Sequence, residues 1–199
     1  MTSVFDEDGN QHGCTVVEAG PCVVTQIRTE ERDGYSAVQL AFGEAKAKNT
    51  PNALLGHFER AGVEPKREVL EFRDADYGEV ELGDEVRVEE VFEEGDAVDV
   101  AGLSKGKGFQ GVVKRHGFSG VGMQTHGQKD RERAPGSIGQ ASDPAHVFKG
   151  MKMPGRTGNE RTTIKNLTVR KVLPDQNVIL IEGSVPGAKN GIVEIKHHT

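Results

Sequence analysis

Hydrophobic and polar positions alternate through Cys22–Arg28 and again through Tyr35–Phe42, which predicts two β-strands. Asp33-Gly34 between them supplies the residues of a tight hairpin turn. Thr50-Pro51 then predicts a helix start, with Thr50 as N-cap and Pro51 at the first helical position. Leu54, Leu55, Phe58 and Ala61 fall on one face of that helix, and Gly62 stands where a C-terminal cap belongs. A short helix is therefore expected near 51–61. Further strands are expected at 69–73, 85–92 and 97–101. The β-pattern resumes at 163–173, passes a turn at Pro174-Asp175-Gln176-Asn177, and continues in the apolar run Val178–Ile181 and the short strand 192–195. Many short strands, frequent turn signals and one helical insertion predict a mainly β protein built on a small closed or nearly closed barrel.

Between these flanks the pattern stops. Residues 102–161 form a long irregular excursion that leaves one expected strand and returns into another, with 12 glycines among residues 103–161. That glycine content opposes long helices. A long loop inside a compact domain is uncommon and, where present, usually functional. The expected organisation is a discontinuous body, 1–101 with 162–199, and an extension, 102–161.

Charge separates the same segments. Residues 103–161 carry 11 Lys/Arg against 4 Asp/Glu, whereas 1–102 carry 9 against 24. The net charge of −6 thus conceals a positive island. Cations spaced every few residues along a backbone able to approach closely suit a folded polyanion, which means structured nucleic acid. Lys105, Lys107, Lys114, Arg115, Lys129, Arg131, Arg133, Lys149, Lys152, Arg156 and Arg161 are the candidate phosphate contacts. His116, His126, Phe109 and Phe118 could stack on unpaired bases; equally, the two phenylalanines could anchor the extension on its own barrel. Gln140 can both donate and accept at a base edge or phosphate.

Other chemistries find little support. No run of 18 apolar residues exists to span a bilayer as a helix, and residues 1–8 lack the form of a signal peptide, so a cytoplasmic location without membrane partners is expected. Cys14 and Cys22 have no neighbouring ligands at zinc spacing and read as reduced thiols on strands. Gly106-Lys107-Gly108-Phe109-Gln110-Gly111 satisfies G-x-G-x-x-G, but a dinucleotide site needs a helix opening at the third glycine. Gly117, Gly120 and Gly122 follow too closely for such a helix to be expected. Gly102 to Lys107 is one residue short of a P-loop, and Gly108 replaces its Ser/Thr. His116, His126 and His146 lack metal-ligand partners, Ser104, Ser119 and Ser137 lack a nucleophile elbow, and His197-His198 reads as a polar tail. No catalytic residue, metal, cofactor or small-molecule substrate is expected.

Several blocks carry a family resemblance: Ser-Lys-Gly-Lys-Gly-Phe-Gln-Gly (104–111), Lys-Arg-His-Gly-Phe (114–118), Pro-Gly-Ser-Ile-Gly-Gln (135–140) and Gly-Asn-Glu-Arg (158–161). In the flanks, Asp33 to Gln39, Gly56-His57-Phe58, Ala61-Gly62-Val63, Glu71-Phe72-Arg73 and Val185-Pro186-Gly187-Ala188 join them. In order and spacing the chain resembles the bacterial form of the universal large-subunit ribosomal protein three family. The resemblance implies a translation-protein-like barrel and a structural, non-enzymatic role in the cytoplasmic ribosome. It implies direct binding of 23S rRNA near its 3′ end, nucleation of subunit assembly, and an extension reaching toward the peptidyl transferase centre. Neighbours would be large-subunit proteins fourteen and nineteen. The competing reading from another class is a nucleotide-binding enzyme using the Gly102–Gly111 loop. Two departures from the family pattern stand out. Relatives begin with a further short Gly/Lys segment before the position that Met1 matches, and they are usually basic. The acidity here is expected either to face solvent away from RNA or to reflect a salty cytoplasm.

Overall fold

A computed structural model describes residues 1–6, 8–73, 80–122, 126–128 and 131–198. It divides into two compact units, the first comprising Met1–Asp99, Lys165–Ser184 and Lys196–Thr199 and the second Val100–Ile164 and Val185–Ile195.

The first unit opens with β1 (Thr2–Phe5) and β2 (Gln11–Glu18), an antiparallel hairpin outside the strands expected from sequence. Its turn is held by Asp6, whose carboxylate accepts the Asn10 backbone N–H at 2.7 Å and the Asn10 amide at 3.0 Å. β3 (Cys22–Arg28) and β4 (Ala37–Glu44) pair as expected. Their link contains a one-turn helix, α1 (Glu30–Asp33), which Gly34 ends at φ +79°. Helix α2 (Asn52–Ala61) follows, and here the expected start shifts by a residue. Pro51 is the N-cap, and the Thr50 hydroxyl donates to the Lys46 carbonyl at 3.2 Å instead of capping the helix. Gly62 closes α2 in the left-handed region, donating to Glu59 O at 3.0 Å.

β5 (Lys66–Arg73) and the two-residue β6 (Glu85–Val86) complete a four-stranded sheet ordered β5-β4-β3-β6. The strand expected over 85–92 is cut short by α3 (Val88–Val91). Val88, Val91 and Phe92 stand at i, i+3 and i+4, a helical spacing, and Glu90 caps the turn by accepting the Arg87 N–H at 2.9 Å. β7 (Ala97–Leu103) leads out of the first unit. In the second unit, β8 (Phe109–Gln110), α4 (Val112–His116) and β9 (Gly155–Arg156) come next. β10 (Arg161–Leu173), β11 (Val178–Glu182) and β12 (Val193–His197) finish the chain.

A six-stranded sheet ordered β1-β2-β11-β10-β7-β12 carries most of the first unit's strands. A closed or nearly closed barrel is the expectation from sequence, and no closed barrel is found in these ladders. Closure requires the end strands of one sheet to pair with each other, whereas the described residues give a six-stranded sheet with edges at β1 and β12, a four-stranded sheet with edges at β5 and β6, and a separate two-stranded β8–β9 ladder. The fold is mainly β all the same. β11 reads as a continuous apolar run because it is central, flanked by β2 and β10, with Ile179, Leu180 and Ile181 all buried. Val23, Val24, Ala41, Val98, Val169 and the α2 residue Phe58 join them in the core. Cys14 and Cys22 are free thiols on β2 and β3.

His197 and His198 are more than a polar tail. His197 stacks on Phe92 with ring centroids 5.0 Å apart and donates through Nε2 to the Val91 carbonyl at 2.8 Å. His198 Nδ1 lies 2.8 Å from Asp99 Oδ1, and its N–H donates to Ala97 O.

Candidate nucleic-acid interface

In the second unit the glycine-rich segment is organised from its base outward. Limbs 104–110 and 155–160 run side by side. Ser104 N–H donates to Glu160 O (2.9 Å), Asn159 N–H to Ser104 O (3.1 Å), Lys107 N–H to Thr157 O (2.9 Å) and Thr157 N–H to Gly108 O (3.0 Å). Phe109–Gln110 then pair with Arg156 and Gly155. Gly158 makes this approach possible. It sits at φ +71°, and a Cβ there would overlap the Lys105 carbonyl and lie 3.2 Å from Gly106 Cα. Gly102 and Gly187 serve the same purpose lower down. A Cβ on Gly102 would lie 3.1 Å from Val193 Cγ1, and one on Gly187 would lie 3.0 Å from Leu103 O.

A short helix does open at Gly111, contrary to expectation. α4 spans five residues, is capped by Gly111 and ended by Gly117 at φ +71°, and buries Val112. Glycines six and more residues downstream limit its length without preventing a single turn. Beyond it, Val121 N–H donates to Glu132 O at 2.9 Å, and Gly120 leaves room for that carbonyl. Residues 134–154 have no helix or strand and are mostly exposed. One local brace there is the Ser137 hydroxyl donating to Gly139 O at 3.0 Å.

On this framework Lys105, Lys107, Lys114, Arg115, Arg131, Arg133, Lys149, Lys152, Arg156 and Arg161 are all exposed, as are His126 and Gln140. Lys129 lies outside the described residues. Among the described residues only Arg161 of this set has an ion pair, with Nη2 2.6 Å from Glu194 Oε2. The Glu194 carboxylate holds Arg161 more firmly protonated and matches its charge. The others have no carboxylate within ion-pair distance among the described residues. Some first-unit cations are paired: Arg28 with Asp33 and Glu71 at 2.8 Å each, and Arg170 with Glu182 at 2.7 Å.

Two of the nominated residues also serve the segment itself. Arg115 Nη1 donates to Met153 O at 2.8 Å, and His116 Nε2, acting as donor, meets the same carbonyl at 3.0 Å. Together they tie α4 to the chain entering β9. This role spans 37 and 38 residues of sequence and left no local signal.

The aromatic candidates separate. Phe109 is 75% exposed, whereas Phe118 is half-buried with its ring 6.0 Å from that of His116. Phe148 was not singled out from sequence, yet it is 57% exposed beside Lys149. Val147, Met151 and Ile138 are exposed with it. The available signal was an apolar pair inside a Gly/Lys context with no periodic partner. Among the described residues the segment therefore presents cations without ion pairs and exposed aromatic and apolar side chains. That set can bind phosphates and stack on bases. Among the described residues, no group of His, Cys, Asp and Glu could hold a metal ion.

Comparison with known proteins agrees in kind. The family model described as Ribosomal protein L3 matches residues 68–176. The large ribosomal subunit protein uL3 of Salinibacter ruber is 64% identical over 196 residues, covering 98% of this chain and 93% of the relative. The protein of the same name from Chlorobium phaeobacteroides is 53% identical over the same coverage. The flanks and the cation-bearing segment are both included in that similarity, and the chain belongs to the ribosomal protein L3 family.

Proposed function

We propose that this chain is a structural, non-enzymatic constituent of the large ribosomal subunit in the cytoplasm. Its body, 1–101 with 162–199, rests on 23S rRNA near the 3′ end, and 102–161 threads into the RNA toward the peptidyl transferase centre. Early binding of this kind nucleates subunit assembly, and large-subunit proteins fourteen and nineteen are the neighbours. The observation that carries the reading is the set of exposed cations without ion pairs along a glycine-rich, partly aromatic segment. Such cations keep their full attraction for phosphate, because no protein carboxylate must first be displaced. Gln140, Arg131 and Arg133 extend the contact surface beyond the paired limbs, and His126 adds a ring for stacking.

A nucleotide-binding enzyme is not supported. A one-turn α4 after Gly111 lacks the helix that a dinucleotide pyrophosphate requires. Sedimentation in magnesium buffer tests the reading. The protein should travel with large subunits and leave them only at high salt, as phosphate contacts dictate. Protein remaining near the top of the gradient at low salt overturns it.

A further inference from the structure

Outside the candidate interface, His12 is held through both of its ring nitrogens. It stands on β2, with its side chain 19% exposed. Its Nδ1 lies 3.0 Å from Glu182 Oε1 on β11, and its Nε2 lies 3.1 Å from Asp6 Oδ2 in the β1–β2 turn. Both ring nitrogens thus face carboxylate oxygens. Only the imidazolium can donate to both; a neutral ring donates to one and sets a lone pair against the other. The outer partners fix both acceptors. Arg170 on β10 donates through Nε to Glu182 Oε2 at 2.8 Å, and Asn10 donates twice to Asp6. Cys14, opposite Glu182 in the ladder, is a further titratable neighbour, its thiol pushed up by burial.

We propose that His12 is a proton-operated latch, tying the turn of the N-terminal β1–β2 hairpin to β11 and releasing it when the ring is deprotonated. β1 is a four-residue edge strand whose ladder runs to β2 alone, so an added tie through the turn matters there. The directions of titration agree with the geometry. The hydrogen bond that the ring donates to Asp6, then the one it donates to Glu182, raises His12 above its ordinary 6.5. His12 lowers Asp6 to about 2 and, with Arg170, lowers Glu182. A raised histidine contributes fully below its unfolded value, and the contribution is lost as pH rises through the folded value. The lowered carboxylates set an acid limit below which the latch also opens. The latch is closed between these limits and opens in alkali.

An NMR titration of the full-length chain, with hydrogen exchange over the same pH range corrected for intrinsic rates, tests this. The His12 ring should titrate with a midpoint above 6.5, and the midpoint should fall in both Asp6→Asn and Glu182→Gln. Amides of β1 and of the Gln11–Gly13 end of β2 should lose protection as pH passes that midpoint, while the β2–β11 ladder over Cys14–Glu18 keeps its own, and His12→Asn should abolish the step. A midpoint at or below the ordinary histidine value, or an identical step in His12→Asn, overturns the proposal. If His12→Asn does not fold, an unchanged ring midpoint in Asp6→Asn overturns it alone.

Discussion

At Gly158 a missing side chain lets one limb of the extension lie directly on the other. The φ of +71° and the overlap of a notional Cβ with the Lys105 carbonyl act together there. Gly108 separates the two effects: its φ is +66°, but a Cβ would meet nothing within 4 Å. Gly108→Ala should cost about 1–2 kcal/mol from the left-handed backbone alone. Gly158→Ala should cost clearly more and should also speed amide exchange at Lys107 and Asn159; equal costs in denaturant titrations would remove the close approach as the cause. Acid sensitivity is likewise argued residue by residue. Arg28 donates through Nε to Glu71 at 2.8 Å, and that bond, aided by the Tyr35 hydroxyl, lowers the Glu71 pKa against the effect of burial. A lowered carboxylate contributes stability above its unfolded pKa and loses it as pH falls through the folded one. Melting temperature should therefore fall on acidification below about pH 4.5, and Glu71→Gln should flatten that fall. An unchanged acid slope in the variant would contradict this account. None of these partnerships was legible from sequence, since Arg28 and Glu71 stand 43 residues apart.

Elements were legible where one periodicity ruled. Helix α2 was, because Phe58 and Ala61 share its buried face and Gly62 ends it. Phe58 is 1% exposed, so Phe58→Ala should cost about 3–5 kcal/mol in denaturant titration. A loss below about 1 kcal/mol would mean that α2 does not anchor the core of its unit. β3, β4, β10 and β11 were legible for similar reasons of alternation or continuous apolar sequence. Elements resting on other signals were missed. β2 begins Gln11-His12-Gly13, too polar and too glycine-rich to stand out, and is made a strand by pairing with β1 and β11. At 85–92 a β-like composition hid the helical spacing of Val88, Val91 and Phe92. Barrel closure could not be read at all, because strand order depends on pairings between segments far apart in sequence.

For the whole molecule, segregation of charge was the most legible property, and the structure gives it physical content. Residues 1–102 hold 24 acidic against 9 basic residues, while the second unit's described cations are exposed and, Arg161 apart, without ion pairs. Repulsion within the acidic part should be screened by salt. Thermal melts of the free protein should therefore rise from low to molar KCl; a flat or falling trend rejects that view of the acidity. Which cations are free to meet RNA was not legible, since Arg161 with Glu194, and Arg115 and His116 with Met153, are tied within the protein. The central claim, that RNA affinity resides in 103–161, is therefore best tested on lysines that carry no such structural duty. Filter-binding titrations against large-subunit RNA over a range of salt should compare the native chain with Lys105, Lys107, Lys149 and Lys152 all changed to Ala. Each lost phosphate contact should reduce the salt slope by about 0.7–0.9, so the variant should bind more weakly with a slope shallower by up to about 3.6. An unchanged affinity and slope would contradict the account.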